Sequence, residues 1–176
     1  MEGVARSQVI LLPHNSAWDT EFLAVKTQLQ SCLQDNLLDI QHVGSTAIAA
    51  ICAKPILDIA VKLQSIRAMD IDTLVSQGYD YRGSQFSNEH YHLFVLRNKH
   101  GLSLRHVHCY DKNEKEFDLL VGFRDYLNQH YEIAKEYESL KLKLLETCAN
   151  DRNAYTTGKE AFIQSIYQKI STSSGI

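Results

Sequence analysis

The feature that most constrains this chain is an apolar run, Ile56-Leu57-Asp58-Ile59-Ala60-Val61, opened by Pro55 and holding a single carboxylate. A short apolar run rich in β-branched residues, without alternation, predicts a strand buried on both faces and central to its sheet. Burying an unpaired charge costs several kcal/mol or more, so Asp58 requires a metal, a cation or hydrogen-bond donors beside it. Just upstream, residues 39–43 read as a short strand that stops at Gly44-Ser45-Thr46. Glycine lets the backbone turn sharply and pass close to a phosphate, and free N–H groups at a helix start suit an anion. Spacing alone leaves a second reading open, in which Gly44 is a turn, Ser45 a cap, and Asp58 the partner of Lys54 or Lys62.

The rest of the chain frames these two segments. Residues 9–12 read as an edge strand ended by Pro13, and Asn15-Ser16 offers an N-cap. Trp18, Phe22, Val25, Leu29 and Leu33 then follow at helical spacing. The small residues of 47–53 predict one or two helical turns, and 66–77 a helix closed by Gly78. Residues 91–97 and 103–110 suit a hairpin. From Glu114 the period becomes helical, with helices marked by Phe117 to Leu127, Ile133 to Cys148 and Ala154 to Ile170. Strands in the first two-thirds and helices at the end predict an α+β domain over residues 1–170, with a fraying polar tail at 171–176.

Composition narrows the function classes. With 176 residues and a net charge of −3, no like-charge block supplies the basic face that nucleic-acid binding needs, although a local basic pocket fits the balance. The four cysteines show neither a C-x-x-C pair nor zinc-ligand spacing, which predicts reduced thiols and a cytoplasmic location. No signal-peptide pattern and no apolar run near the ~20 residues of a membrane span is present.

Longer stretches of text carry a resemblance. They are Leu12-Pro13-His14 with Trp18 and Phe22, His42-Val43-Gly44-Ser45-Thr46-Ala47, and Ala53-Lys54-Pro55-Ile56-Leu57-Asp58-Ile59. Gly78-Tyr79 with Tyr81, His106-Val107-His108, Phe123-Arg124-Asp125-Tyr126-Leu127, Tyr137 with Leu140-Lys141, and Tyr155 with Lys159 and Phe162-Ile163 extend them. The chain resembles the GrpB family, a branch of the nucleotidyltransferase superfamily. That resemblance implies a mixed β-sheet flanked by helices, with a helical C-terminal third and Gly44-Ser45 at the phosphate end. It also implies Asp58 and Ser45 as catalytic residues and a nucleoside triphosphate as candidate substrate. The family also occurs fused to dephospho-CoA kinase, which points to phosphometabolites.

The sequence departs from the superfamily pattern in two respects. Two carboxylates two positions apart are expected there, whereas Asp58 is followed by Ile59 and Ala60. A later strand, where a further acid is expected, carries His106 and His108 instead, and their spacing puts both imidazoles on one face. A carboxylate with two imidazoles is a poor Mg²⁺ site and suits Zn²⁺, Mn²⁺ or Fe²⁺ better. The expected divalent site is therefore Asp58, His106 and His108 with a transition ion. Gly44, Ser45 and Lys54 are the expected phosphate-binding residues. His42 ranks second, Arg105 is expected to face away, and Arg124 to brace the fold. Tyr79, Tyr81, Tyr91 and His92 are expected to pack in the core or at a rim. Two function classes follow: metal-dependent nucleotidyl transfer to a small acceptor, or a non-catalytic module of the same fold binding a nucleotide or phosphometabolite.

Overall fold

The structure is a computed structural model describing residues 2–5, 9–148 and 151–174, with the side chains of residues 152, 173 and 174 left aside. The apolar run forms β2 (Leu57–Leu63) inside a five-stranded sheet with β1 (Leu37–Val43), β3 (Tyr79–Gln85), β4 (Asn88–Arg97) and β5 (Ser103–Asp111). The strand order is β1-β2-β5-β4-β3. β2 and β5 run parallel, and every other neighbouring pair is antiparallel.

The two-residue strand period divides β2 between two environments. Leu57, Ile59, Val61 and Leu63 are fully buried against Val107, Cys109 and Phe94 of the same sheet face. Above them lie Trp18, Val25, Leu29 and Leu33 of α1 (Ala17–Leu33) and Leu74 of α2 (Ile71–Ser76). Each such side chain contributes about 1.5–3 kcal/mol of apolar burial. The opposite face carries Asp58, Ala60 and Lys62 in register with His106, His108 and Tyr110 of β5. Ala60 is buried there too, among Val43, Tyr91, Tyr110 and Phe117, the last from α3 (Lys115–Gln129). That second burial explains why the sequence shows no polar alternation.

The C-terminal helices α4 (Tyr131–Cys148), α5 (Arg152–Thr157) and α6 (Glu160–Ser174) follow α3. Phe123, Leu127, Ala134, Tyr137 and Ile166 form a second apolar cluster that encloses Ile48 and Ile51. The helical third thus grips the loop between β1 and β2. Among the described residues, no helix is long and apolar enough to cross a membrane.

Several local expectations need correction. Residues 9–12 form no strand; a lone bridge joins Leu12 to Ala53, with both backbone hydrogen bonds made before Pro13 removes the next donor. The stretch 47–53 holds only a 3₁₀ turn, Ser45–Ala47, and then irregular chain. Residues 66–77 divide into a 3₁₀ turn, Ile66–Ala68, and the short α2. Asp70 is the cause: its carboxylate accepts from the Thr73 N–H at 3.1 Å and the Thr73 hydroxyl at 2.7 Å, starting a new helix. β3 went unrecognised because it is a largely exposed edge strand with register shifts, so it lacks alternation. The last helix breaks at Gly158, where a Cβ would lie 2.4 Å from Leu144 Cδ2. The polar run from Ser171 continues α6 as far as Ser174 instead of leaving it, and residues 175–176 lie outside the described residues.

Candidate functional site

The turn after β1 passes directly over Asp58. Gly44 has φ +71° and ψ −173°, a region essentially reserved for glycine. A Cβ there would lie 2.6 Å from Asp58 Oδ2 and 2.9 Å from Asp58 Cβ. The glycine therefore serves both the turn and the close approach to the carboxylate. The turn is clasped from below by buried His42, whose Nε2 lies 3.0 Å from Thr46 Oγ1, while the Thr46 hydroxyl donates to the Ile56 carbonyl. The His42 ring stacks on Phe22 at 5.1 Å and has Nδ1 3.4 Å from Asp19. Burial lowers the His42 pKa against the opposing pull of Asp19 and Asp58. Arg124 braces the same strand end as expected, donating to the His42 carbonyl at 2.8 Å and to Gln41 Oε1 at 3.0 Å.

Asp58 meets both histidines. The parallel register sets Asp58 against His106 and Ala60 against His108. His106 Nδ1 lies 3.0 Å from Asp58 Oδ1 and His108 Nε2 3.6 Å from the same oxygen. One donor atom from each of the three residues falls within 4.8 Å of the others. Burial raises the Asp58 pKa, but hydrogen bonds from His106 and His108 and their charge outweigh it, so the carboxyl sits below its usual range. Lys62 does not serve as its partner, because Lys62 is held by Asp118 at 2.7 Å. The second carboxylate expected of the superfamily has no counterpart at Ala60, whose surroundings are apolar and aromatic.

Tyr91 was expected only to pack, yet its hydroxyl lies 2.7 Å from His108 Nδ1. That contact leaves Nε2 as the nitrogen facing Asp58. With Nε2 bare to ligate an ion, Nδ1 would carry the proton and donate it to the Tyr91 hydroxyl, the arrangement that orients a ligating imidazole. Donor chemistry and outer contact both fit a transition ion at this position. Tyr79 is core, Tyr81 lies at the edge against His92, and Arg105 faces away to pair with Glu21 at 3.2 Å.

On the other side of Ser45 lies a cavity of about 80 Å³ lined by Ser45, Thr46, Lys54, Asp58, Lys141 and Lys159, with Tyr155 and Leu11. Three lysines and the Ser45 hydroxyl converge on this space, a lining suited to phosphate oxygens. Lys54 and Lys159 place their ammonium groups 4.6 and 4.8 Å from the Tyr155 ring centre. Lys141 is 1% exposed, hydrogen-bonds the Cys52 carbonyl and lies 5.0 Å from the Tyr137 ring centre. Burial, aided by the charge of Lys159, pulls its pKa down to about 7, against the pull of Glu138 and Cys52.

Sequence reasoning placed Lys54 at the phosphate site, and quoted Lys141, Tyr155 and Lys159 among the residues of the resemblance without giving them a role there. A signal for Lys141 was present: Ala134, Tyr137 and Lys141 form the buried stripe of α4, so a lysine occupies a core position. Cys52, which lies close by, has its thiol pKa raised by burial and by Glu138, which does not activate it.

Comparison with known proteins bears on the family and the fold. A model of the GrpB protein family matches residues 8–169. The chain is 34% identical over 175 residues to the glutamate-rich protein GrpB of Alkalihalophilus pseudofirmus, covering 97% of this chain and all of that protein. It is 30% identical to the UPF0157 protein YqkA of Bacillus subtilis, covering 90% of this chain and 46% of that one. The crystal structure of conserved protein GrpB from Enterococcus faecalis superimposes with a TM-score of 0.81 at 28% identity, covering 91% of this chain and 96% of that one. Cid1 in complex with the UTP analogue UMPNPP superimposes with a TM-score of 0.52 at 15% identity over 83% of this chain and 48% of that one, a likeness of fold. With its nucleotidyltransferase-like α+β fold, this chain belongs to the GrpB protein family.

Proposed function

We propose that this protein transfers a nucleotidyl group from a nucleoside triphosphate to a small acceptor. The observation that carries the reading is the placement of Asp58 between two unlike surroundings. On one side stand Ser45, the glycine turn and three lysines, and on the other His106 and His108. The lysines and the Ser45 hydroxyl would bind and neutralise phosphate oxygens, and the Gly44 turn lets the chain approach them closely. Asp58, His106 and His108 would hold a divalent transition ion, which when bound supplies Lewis-acid stabilisation of charge at the α-phosphate. In the transfer, a bond forms from the acceptor oxygen or nitrogen to the α-phosphorus. The bond from that phosphorus to the α,β-bridging oxygen breaks, pyrophosphate leaves, and the acceptor proton passes to water.

A second reading is favoured by Ala60, where a second carboxylate is absent: the same fold would bind a nucleotide or phosphometabolite without turning it over. Calorimetry on metal-stripped protein with Mn²⁺, Zn²⁺ and Mg²⁺, with and without nucleoside triphosphate, tests the shared part. Expected are binding of Mn²⁺ or Zn²⁺ in preference to Mg²⁺ and its loss in the variant carrying both His106→Ala and His108→Ala. A preference for Mg²⁺, or equal binding by that variant, would overturn the metal assignment. Pyrophosphate release on adding candidate acceptors supports transfer, and tight nucleotide binding without any release supports the binding module.

A further inference from the structure

The side of the metal-ligand cluster away from the lysines opens into a cleft of about 560 Å³ that the phosphate site does not use. Its floor is β4, where Tyr91, Leu93 and Val95 lie on the same sheet face as His106 and His108, with Leu93 paired to His108 and Val95 to His106. Asn153 and Thr156 of α5 form the facing wall. At the β3–β4 turn, Phe86 has φ +52° and is 89% exposed, holding an open aromatic face beside Tyr91 at 6.3 Å between ring centres. Its ring stacks on Tyr91 and is otherwise open to water.

Charge makes the cleft specific. The chain as a whole is net negative, yet among the described residues no carboxylate lines this cleft, while Arg82 and Arg97 do. Arg97 is held in place by Asp80, and Arg82 is exposed and makes no ion pair among the described residues. Guanidinium groups are suited to carboxylate and phosphate oxygens through paired N–H donors. Apolar floor, open ring and unneutralised arginine share one cavity beside the reacting centre.

We infer that this cleft is the acceptor site and that the acceptor is a small metabolite with an anionic group on an apolar or planar body. The assignment rests on the nucleotidyl-transfer reading above. The anion meets Arg82, the body lies on Leu93 and Val95 under Phe86, and the hydroxyl or amine to be modified points toward His106 and His108. The nucleoside triphosphate reaches Asp58 from the opposite side, across Ser45.

Ligand-observed NMR on the full chain tests the site with phenyl phosphate, benzoate and benzyl alcohol, which share a ring and differ in charge. Phenyl phosphate or benzoate is expected to bind at least about tenfold more tightly than benzyl alcohol, and the preference between the two tells a phosphorylated from a carboxylated acceptor. Arg82→Ala is expected to abolish the advantage of the anions, and Phe86→Ala to weaken all three. Both residues are exposed, and unchanged melting of the variants verifies folding. Nucleoside triphosphate affinity, measured in parallel, is expected to stay within about twofold of wild type in both variants. Equal binding of benzyl alcohol, no binding of any probe, or a loss of triphosphate affinity in Arg82→Ala that matches the loss of the anions would overturn the inference. Failure of the wild type to bind triphosphate while the anions still bind would instead overturn the transfer reading.

Discussion

The Tyr91 hydroxyl lies 2.7 Å from Nδ1 of His108, and this contact leaves the imidazole with only Nε2 to offer Asp58. The contact spans neighbouring strands: His108 is paired with Leu93, and Tyr91 stands two residues before that on the same face. With His108 as a metal ligand, as proposed above, Tyr91 would act as a positioning residue. Tyr91→Phe keeps the ring and its stacking on Tyr110 at 4.6 Å but removes the hydroxyl. Affinity for Mn²⁺ or Zn²⁺ is expected to fall about 10- to 100-fold, as outer contacts of ligating histidines typically do. Calorimetry reports it, and an affinity equal to wild type would dismiss the orienting role.

The Gly44 turn separates two effects that a single substitution usually mixes. Gly44→Ala would place a non-glycine residue at φ +71° and also drive its Cβ into Asp58. Gly101→Ala meets a similar φ of +75° with nothing within 4 Å. The strain alone costs on the order of 1–3 kcal/mol. Chemical denaturation should show Gly44→Ala destabilising more than Gly101→Ala, with metal binding lost only in the former. Equal costs would mean that the turn does not depend on its approach to Asp58.

How much of this was legible in the sequence follows from what each residue's role depends on. The β2 strand, the α1 stripe and the Gly44-Ser45 turn are local patterns, and Asp58 stood out because a charge in an apolar strand demands partners. The pairing of Asp58 with His106 needs the parallel register of β2 on β5, which no spacing encodes, although the H-x-H alternation pointed to one shared face. Lys141 comes from α4 and Lys159 from the turn between α5 and α6, far along the chain, and only folding the helical third over the loop brings them to Ser45. β3 escaped because an exposed edge strand carries no hydrophobic alternation to read.

The phosphate cavity predicts a graded response. Nucleoside triphosphate should raise the melting temperature, since a ligand of the native state stabilises by about 2.7 kcal/mol at a hundredfold excess over its Kd. Ser45→Ala, Lys54→Ala and Lys159→Ala each remove a lining group and should shrink the shift. Because the lysine contacts are charge-based, the shift for wild type should also fall with added salt. No shift at millimolar triphosphate, with or without Mn²⁺, would count against phosphate recognition here.

Lys141 links this site to pH. Its pKa is held at about 7 in the folded protein, against an ordinary 10.5, chiefly by burial. Between those values the unfolded chain binds the proton that the folded chain has released, so this group makes stability rise with pH across that window. Below pH 7 the ammonium is charged in both states, and the folded protein carries the full cost of burying it. Lys141→Met keeps a flexible chain of similar length without the charge. The variant should therefore be more stable than wild type at pH 6, by on the order of a few kcal/mol, and the gap should narrow by pH 9. Chemical denaturation at the two pH values measures the gap, and a gap that stays constant or widens would refute the assignment. A phosphate beside Lys141 favours its charged form, so triphosphate binding to wild type at pH 8 should take up a proton. Calorimetry in buffers of different ionisation enthalpy detects that uptake. In Lys141→Met the uptake should vanish and the affinity fall, leaving a protein that is more stable and a poorer ligand binder, as expected when a buried charge is kept for binding and not for folding.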